Sequence, residues 1–337
     1  MSQPRHINPA PNAPAAAPPR TGHPIRDFAI RLGLGAVVIA ILLHFLNWRR
    51  VIDSIGRENP AYFAAAVILY LAGQIVFACV RWWMLTAIVK VHASFGDIVR
   101  YYFVGAFTNL FVPGLVGGDA ARAIYLGRPR GRLGESFASV ATDRTVGFAA
   151  LFWVAALATL FLNRGEIPAS VTHPTLAAGA ALTALWFAAP YLARQIHRLP
   201  PKMRRYAGLV APYIHHRGTL AIPFALSVAF QANIALCQYI LARGMELPQP
   251  LSLFMLCVPL ANVVAGLPIT LNGLGVRDGT YVVLFGMGGM ARDDALAMGL
   301  LWFAASGLAG FLGIIAFLTT PAPAAPPSHA DSAASPE

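Results

Sequence analysis

Six ionisable residues stand within or beside apolar segments of this 337-residue chain: Asp119, Arg122, Asp143, Arg144, Arg277 and Asp278. A charge at the centre of a bilayer costs about 2.5–3.5 kcal/mol on insertion scales, so such residues are expected to be paired and functional. Asp119 and Arg122 are three residues apart and share a helix face. Asp143 and Arg144 are adjacent and point about 100° apart on a helix, so each needs a partner elsewhere. A cross-pair with the stretch around Asp119 is the sharper expectation. An arginine offers a planar fork of donors to an anionic oxygen, and a helix N-terminus favours phosphate. Asp119 would repel a bare phosphate, so it is expected to pair with Arg122 or Arg144, or to carry a proton. Blander readings remain open. Asp119 could be the N-cap of a helix that restarts after Gly118, and Arg122 a cytoplasmic anchor. Asp143 and Arg144 could be hydrated at the interface, and Arg277-Asp278 a turn at the outer surface.

Two helix-breaking stretches carry most of these charges. The first is Asn109–Arg122, which contains Asn109, Pro113, Gly114, Gly117, Gly118, Asp119 and Arg122. The second runs from Pro268 to Gly279 and contains Asn272, Gly273, Gly275, Arg277 and Asp278. Proline removes a backbone donor and glycine weakens a helix interior, so Pro113-Gly114 and Gly117-Gly118 are predicted to open the helix. Unwound backbone at membrane depth is tolerated where it is buried in protein or lines a wet cavity. Two interrupted segments, one in each half of a hydrophobic chain, point to a transporter's binding site.

Composition sets the surroundings. The chain is 57% apolar and 12% charged, against about 25% charged in an ordinary soluble domain. Several apolar runs approach the roughly 20 residues that cross a bilayer as a helix, so the fold class is an all-α integral membrane protein. The net charge of +11 sits in short loops flanking apolar runs, the positive-inside pattern that also meets anionic lipid headgroups. Without a basic stripe interleaved with aromatics, no nucleic-acid partner is expected. Cys79, Cys237 and Cys257 fall inside apolar runs and read as small hydrophobes. No His/Glu spacing resembles a metal motif and no phosphate-binding loop is present, so neither metal nor cofactor is expected. Gly273-Leu274-Gly275 has no βαβ context and is set aside as a dinucleotide loop.

Taken in order, residues 1–24 form a Pro/Ala-rich tail expected to be disordered. Residues 25–319 form the membrane domain and 320–337 a second tail. The first apolar run, 28–46, reads as a retained signal anchor. A span at 62–80 ends in Arg81-Trp82-Trp83, an interfacial belt by composition. The segment 95–112 leads into the first broken stretch. The basic residues Arg122, Arg128, Arg130 and Arg132 after that segment match the basic loop before it, so it is expected to enter and leave on one side. Full spans follow at 137–162, 174–192 and 220–241. Between the last two lies the basic loop 193–218, which is expected to be cytoplasmic. Runs 251–271, broken at Pro268, and 276–290 form a second hairpin. The last span, 295–317, carries Gly307, Gly310 and Gly313 at a spacing suited to close helix packing. The sum is about six full transmembrane helices plus two re-entrant helical hairpins related as an inverted repeat, with both termini cytoplasmic.

At these residues the chain resembles the lysylphosphatidylglycerol synthase transmembrane-domain family, the flippase-like membrane domain of aminoacyl-phosphatidylglycerol synthase/flippase proteins. The matching pieces are Arg81-Trp82, the stretch from Asn109 through Pro113, Gly117, Gly118 and Asp119 to Arg122, Asp143-Arg144, and Pro268 to Asp278. The resemblance covers about residues 25–320. Where the family often has Glu, this chain has Asp278. The resemblance implies a lipid flippase-like translocator of a bacterial cytoplasmic membrane. Its cargo would be an aminoacyl-phospholipid, a glycolipid or a hopanoid. The family's soluble aminoacyltransferase domain has no counterpart in these residues, so synthase activity is not expected. Two rival functions are a membrane-embedded lipid-modifying enzyme using Asp119 and Asp143 as acid and base, and a non-transporting partner of lipid-synthesis enzymes. The partners expected in every reading are membrane lipids.

Overall fold

The computed structural model describes residues 48–111, 116–161, 165, 167–194, 208–209, 211–213, 218–266 and 275–321, and every regular element among them is helical. The run 28–46, the first tail, the second tail beyond 321 and most of the basic loop 193–218 lie outside the described residues, as do Pro113, Gly114, Pro268, Asn272 and Gly273. Helix α1 is Trp48–Gly56, between the expected runs 28–46 and 62–80. Four helices are long and apolar enough to cross a membrane: α2 (Pro60–Ile88), α5 (Leu133–Phe161), α7 (Ala221–Gly244) and α10 (Arg292–Thr319). At 1.5 Å per residue each exceeds the roughly 30 Å hydrocarbon thickness. The expected span 174–192 is the 26-residue helix α6, Ala169–Arg194.

Helix α2 begins where sequence chemistry favours it. Pro60 occupies the first turn, where its missing N–H costs nothing, and the Asn59 side chain accepts a hydrogen bond from Ala61 N at 2.9 Å. The helix then runs past Val80, its expected end, by opening into a wider π-type turn at Gln74–Cys79. That turn carries Arg81-Trp82 into the protein: both are buried, so the expected interfacial belt is wrong for these two residues. Trp83, 43% exposed, alone keeps a surface position.

Two pairs of shorter helices complete the described core. Helices α3 (Phe95–Phe111) and α4 (Val116–Gly127) pack on each other. So do α8 (Leu251–Ala265) and α9 (Val276–Met287). At 1.5 Å per residue, helices of 12 to 17 residues reach only about 18–26 Å. The first pair is antiparallel. Tyr101 meets Tyr125 at one end (ring centroids 5.9 Å) and Asn109 Oδ1 accepts from Gly118 N at 2.8 Å at the other. Gly117-Gly118 does not open the chain here; both residues lie in the first turn of α4. Their use is steric. A Cβ on Gly118 would strike the Gly105 carbonyl and the Asn109 side chain, and one on Gly105 would come within 2.7 Å of the Gly118 carbonyl. Gly310 and Gly313 play the expected packing role, facing α3 at Leu110 and Phe103, whereas nothing lies near a Cβ on Gly307.

The contacts of the first five helices recur among the next five. Helix α3 packs on α4 as α8 packs on α9, and α4 on α5 as α9 on α10. Likewise α1 meets α10 as α6 meets α5, α2 meets α10 as α7 meets α5, and α3 meets α10 as α8 meets α5. The equivalent helices α2 and α7 pack on each other and run antiparallel. Asn59 N donates to Gly244 O at 3.2 Å at one end, and Arg81 Nη1 to Ser227 Oγ at 3.0 Å towards the other.

Just outside α2, Glu58 is pressed against Gly244 at the C-terminal end of α7. Both its carboxyl oxygens are buried without a hydrogen-bond partner, and burial pushes its pKa from 4.5 up to about 7. The negative end of the α7 dipole also disfavours the anion. Because the folded pKa is raised, the fold holds this proton more tightly than the unfolded chain, and stability falls as pH rises from about 4.5 through 7. Glu58→Gln is therefore expected to raise the thermal unfolding temperature at pH 8 and leave it near the wild-type value at pH 4.5, measured in detergent. The packing predicts that Gly118→Val loosens the α3–α4 pair and destabilises the fold by about 1–3 kcal/mol, the range for overpacked sites.

Candidate functional site

A cavity of about 350 Å³ lies where the two halves meet. Helix α2 supplies Tyr70, Gln74 and Arg81, the α3–α4 pair supplies Asn109, Gly118, Asp119 and Arg122, and α5 supplies Asp143 and Arg144. From the second half come Gln231 on α7, Asn262 on α8, Arg277 on α9 and Trp302 on α10. Asp119 and Arg122 thus share one chamber with Arg277.

The charges in this chamber form one continuous chain. Arg81 Nε donates to Asp143 Oδ1 at 2.6 Å, and Arg122 Nη2 donates to Asp143 Oδ2 at 3.0 Å. Arg122 Nη2 also lies 3.1 Å from Asp119 Oδ1. Arg144 grips Asp119 bidentately, Nε to Oδ2 at 2.6 Å and Nη2 to Oδ1 at 3.0 Å. Adjacent residues on α5 therefore serve different partners, as their angular offset requires: Asp143 holds Arg81 and Arg122, while Arg144 holds Asp119. The cross-pairing is the one expected from sequence. Asp119 sits inside the first turn of α4 and not at its N-cap, where its charge suits the helix dipole.

Burial grades along the chain. The side chains of Asp143 and Arg122 are 3% and 5% exposed, whereas that of Arg144 is 40% exposed. Arg122 is an internal residue, not an anchor in the basic loop. Its guanidinium carbon lies 5.0 Å from the Trp82 ring centroid and 5.6 Å from that of Tyr102, close enough for cation–π attraction. Trp82 is itself fixed by donating Nε1–H to Ser139 Oγ at 3.1 Å. Trp82 supports the site from behind and does not line the cavity.

The second broken stretch contributes less charge to the chamber. Arg277 lines it but is closed onto its neighbour, with Nη2 3.1 Å from Asp278 Oδ1. Asp278 Oδ2 accepts from Gly275 N at 3.0 Å, and Gly275 takes φ 83°, a conformation open to glycine, to turn the chain into α9. Arg277 and Asp278 are both buried, so a turn at the outer surface is ruled out for them. Gly117 and Gly275 serve local geometry and do not line the cavity.

Several lining residues carry no signal in the charge pattern. Gln74, Gln231 and Asn262 are single amides inside apolar runs, and that isolation is the one cue a sequence reader could have used. Tyr70, Tyr102 and Trp302 look like ordinary apolar aromatics until the fold turns them inward. Among the described residues no group of three or more His, Cys, Asp or Glu stands together to hold a metal. Guanidinium, carboxylate, amide and aromatic groups thus line one chamber, a set of groups able to hydrogen-bond and pair with a polar ligand.

Asp143 bridges two buried arginines, one on each carboxylate oxygen. Asp143→Asn is expected to cost about 3–5 kcal/mol of stability, the range for breaking a buried pair. Asp119→Asn should cost clearly less, because Arg144 can turn to solvent. Thermal unfolding of both variants in detergent checks the order.

The profile of the family described as "Lysylphosphatidylglycerol synthase TM region" matches residues 28–313, and no curated protein matches the chain. With the four long apolar helices, that match makes this a multi-pass membrane protein tied to membrane lipids. The chain belongs to the lysylphosphatidylglycerol synthase transmembrane-region family.

Proposed function

We propose that this protein is a translocator that carries the headgroup of a polar or anionic lipid between the leaflets of a bacterial cytoplasmic membrane. It acts by binding and release, without chemical conversion of the lipid. In this reading the chain has six full spans, both termini are cytoplasmic, and the α3–α4 and α8–α9 pairs are re-entrant hairpins that enter from opposite faces. The repeated contact pattern and the antiparallel α2–α7 pair support an inverted repeat. So does the short reach of the paired helices, below the bilayer's roughly 30 Å. In other transporters of this kind the binding site lies between the repeats.

The single observation that carries the reading is the cavity itself, a charged chamber between the two halves of an otherwise apolar helical protein. Ionised residues inside a membrane are costly and are read by default as marks of a functional site. Its volume of about 350 Å³ falls at the low end of the roughly 300–1,000 Å³ typical of ligand sites. It fits a headgroup, with acyl chains left in the bilayer. Arg144, the most accessible cation, makes first contact, and Arg122, deeper in the chamber, receives the phosphate next.

Transport is measured with acyl-labelled fluorescent phosphatidylglycerol in vesicles containing the purified protein, using a membrane-impermeant quencher to count lipid in the outer leaflet. Wild-type protein is expected to speed the loss of protected fluorescence. Arg144→Gln is expected to slow it about tenfold, the effect of losing one charge-assisted contact worth about 1.4 kcal/mol. A folded Arg144→Gln variant that moves lipid at the wild-type rate would contradict the role of this cluster.

A further inference from the structure

The charge balance and lining of the cavity say which headgroup it fits, an inference that rests on the reading of the chamber as a headgroup site. The chain of ion pairs contains Arg81, Arg122 and Arg144 against Asp119 and Asp143, so one guanidinium is in excess. Arg277 adds nothing to that excess, because Asp278 neutralises it. Arg122 Nε is buried and without a hydrogen-bond partner. A buried donor on a charged group is costly to leave unmade, and a single anionic oxygen would satisfy it once the side chains that cover it shift. One monoanion would close the balance of the whole cluster.

The carboxylates, by contrast, are committed. Both oxygens of Asp143 accept from arginines, and Asp119 takes Arg144 on both oxygens and Arg122 on one. A ligand ammonium group would find no free carboxylate and would enter a field of net positive sign. Such like-charge juxtaposition excludes partners effectively in low-dielectric surroundings.

The remaining wall is uncharged. Tyr70 packs edge-on against Trp302 at 5.0 Å between centroids and is stacked with Phe230 at 6.3 Å. Gln74, Gln231 and Asn262 present amides beside these rings. Amides both donate to and accept from hydroxyls, and ring faces cover the C–H surfaces between them. The faces alone could attract an ammonium, but the excess guanidinium opposes it.

We infer that the cavity selects a phosphodiester lipid bearing one negative charge and an uncharged, hydroxylated headgroup, a glycerol or a sugar-like polyol, and rejects lipids whose headgroup carries an ammonium group. The rejected class includes lysylphosphatidylglycerol itself, the cationic lipid in the family's name.

Two readouts on the same protein test this. Binding is measured by native mass spectrometry of protein released from nanodiscs holding equal amounts of five lipids. These are phosphatidylglycerol, phosphatidylinositol, phosphatidylethanol, phosphatidylethanolamine and lysylphosphatidylglycerol. Transport of each labelled lipid is measured in vesicles. Phosphatidylglycerol or phosphatidylinositol is expected to exceed both ammonium lipids at least tenfold, and phosphatidylethanol, an anion without hydroxyls, at least threefold. The better of the first two tells glycerol from sugar-like polyol. Gln74→Leu and Asn262→Leu, on different helices, should each bring the ratio to phosphatidylethanol towards one. Ammonium lipids that bind as well as phosphatidylglycerol overturn the charge part of the inference. Equal binding of phosphatidylglycerol and phosphatidylethanol, or an unchanged ratio in folded variants, overturns the polyol part. If binding ranks as expected while no lipid crosses, the selection stands and the translocator reading falls.

Discussion

Asp143 is the residue around which the interior is arranged. A carboxylate buried to this degree must be compensated by cations with good geometry, or its desolvation would cost several kcal/mol. Arg81 and Arg122 supply that compensation from helices far apart in sequence, one on each oxygen. Each arginine is then fixed by a further partner, Ser227 for Arg81 and Asp119 for Arg122. The requirement that buried charge be paired thereby ties α2, α4, α5 and α7 into one frame. The π-type turn in α2 and the glycine contact between α3 and α4 both belong to this constraint. The first precedes the turn of helix that holds Arg81, and the second seats α4 on α3 next to Arg122.

The two halves share a contact plan but not a chemistry. Aligning Gly114-Leu115 with Gly273-Leu274 places Asp119 opposite Asp278 and Arg122 opposite Tyr281. Trp302 follows Asp278 by the interval that separates Asp143 from Asp119. The first half thus carries the ion chain where the second carries aromatic rings, and the second half's charge pair at the cavity, Arg277 with Asp278, is closed on itself. A chamber between such halves has an ionic wall and a neutral wall. On the proposed reading, this division sets a phosphate beside an uncharged headgroup in one cavity.

Much of this was legible in the sequence, for identifiable reasons. Charge inside an apolar chain is expensive, so Asp119, Arg122, Asp143, Arg144 and Arg277 stood out, and helix geometry forced the cross-pairing of Asp143 and Arg144. Pro and Gly marked where helices shorten, although Gly117-Gly118 proved to be a packing contact and not a break. Arg81 and Trp82 were misplaced because Arg-Trp-Trp at the end of an apolar run has the composition of an interfacial belt. The partners Asp143, 62 residues away, and Ser227, 146 residues away, give Arg81 a reason to turn inward. The aromatic and amide lining was invisible for a related reason. A Tyr, Gln or Trp in a span can face lipid, a neighbouring helix or a cavity, and long-range contacts alone decide which.

The most direct test of the central claim is a high-resolution structure determined in nanodiscs of phosphatidylglycerol. Lipid phosphate density should lie within hydrogen-bonding distance of Arg144 and Arg122 Nε, with the headgroup against Gln74 and Trp302 and the acyl chains leaving between helices into the bilayer. A cavity that holds only water, with Asp119 and Arg144 still paired and lipid confined to the outer surface of the helices, would contradict the account.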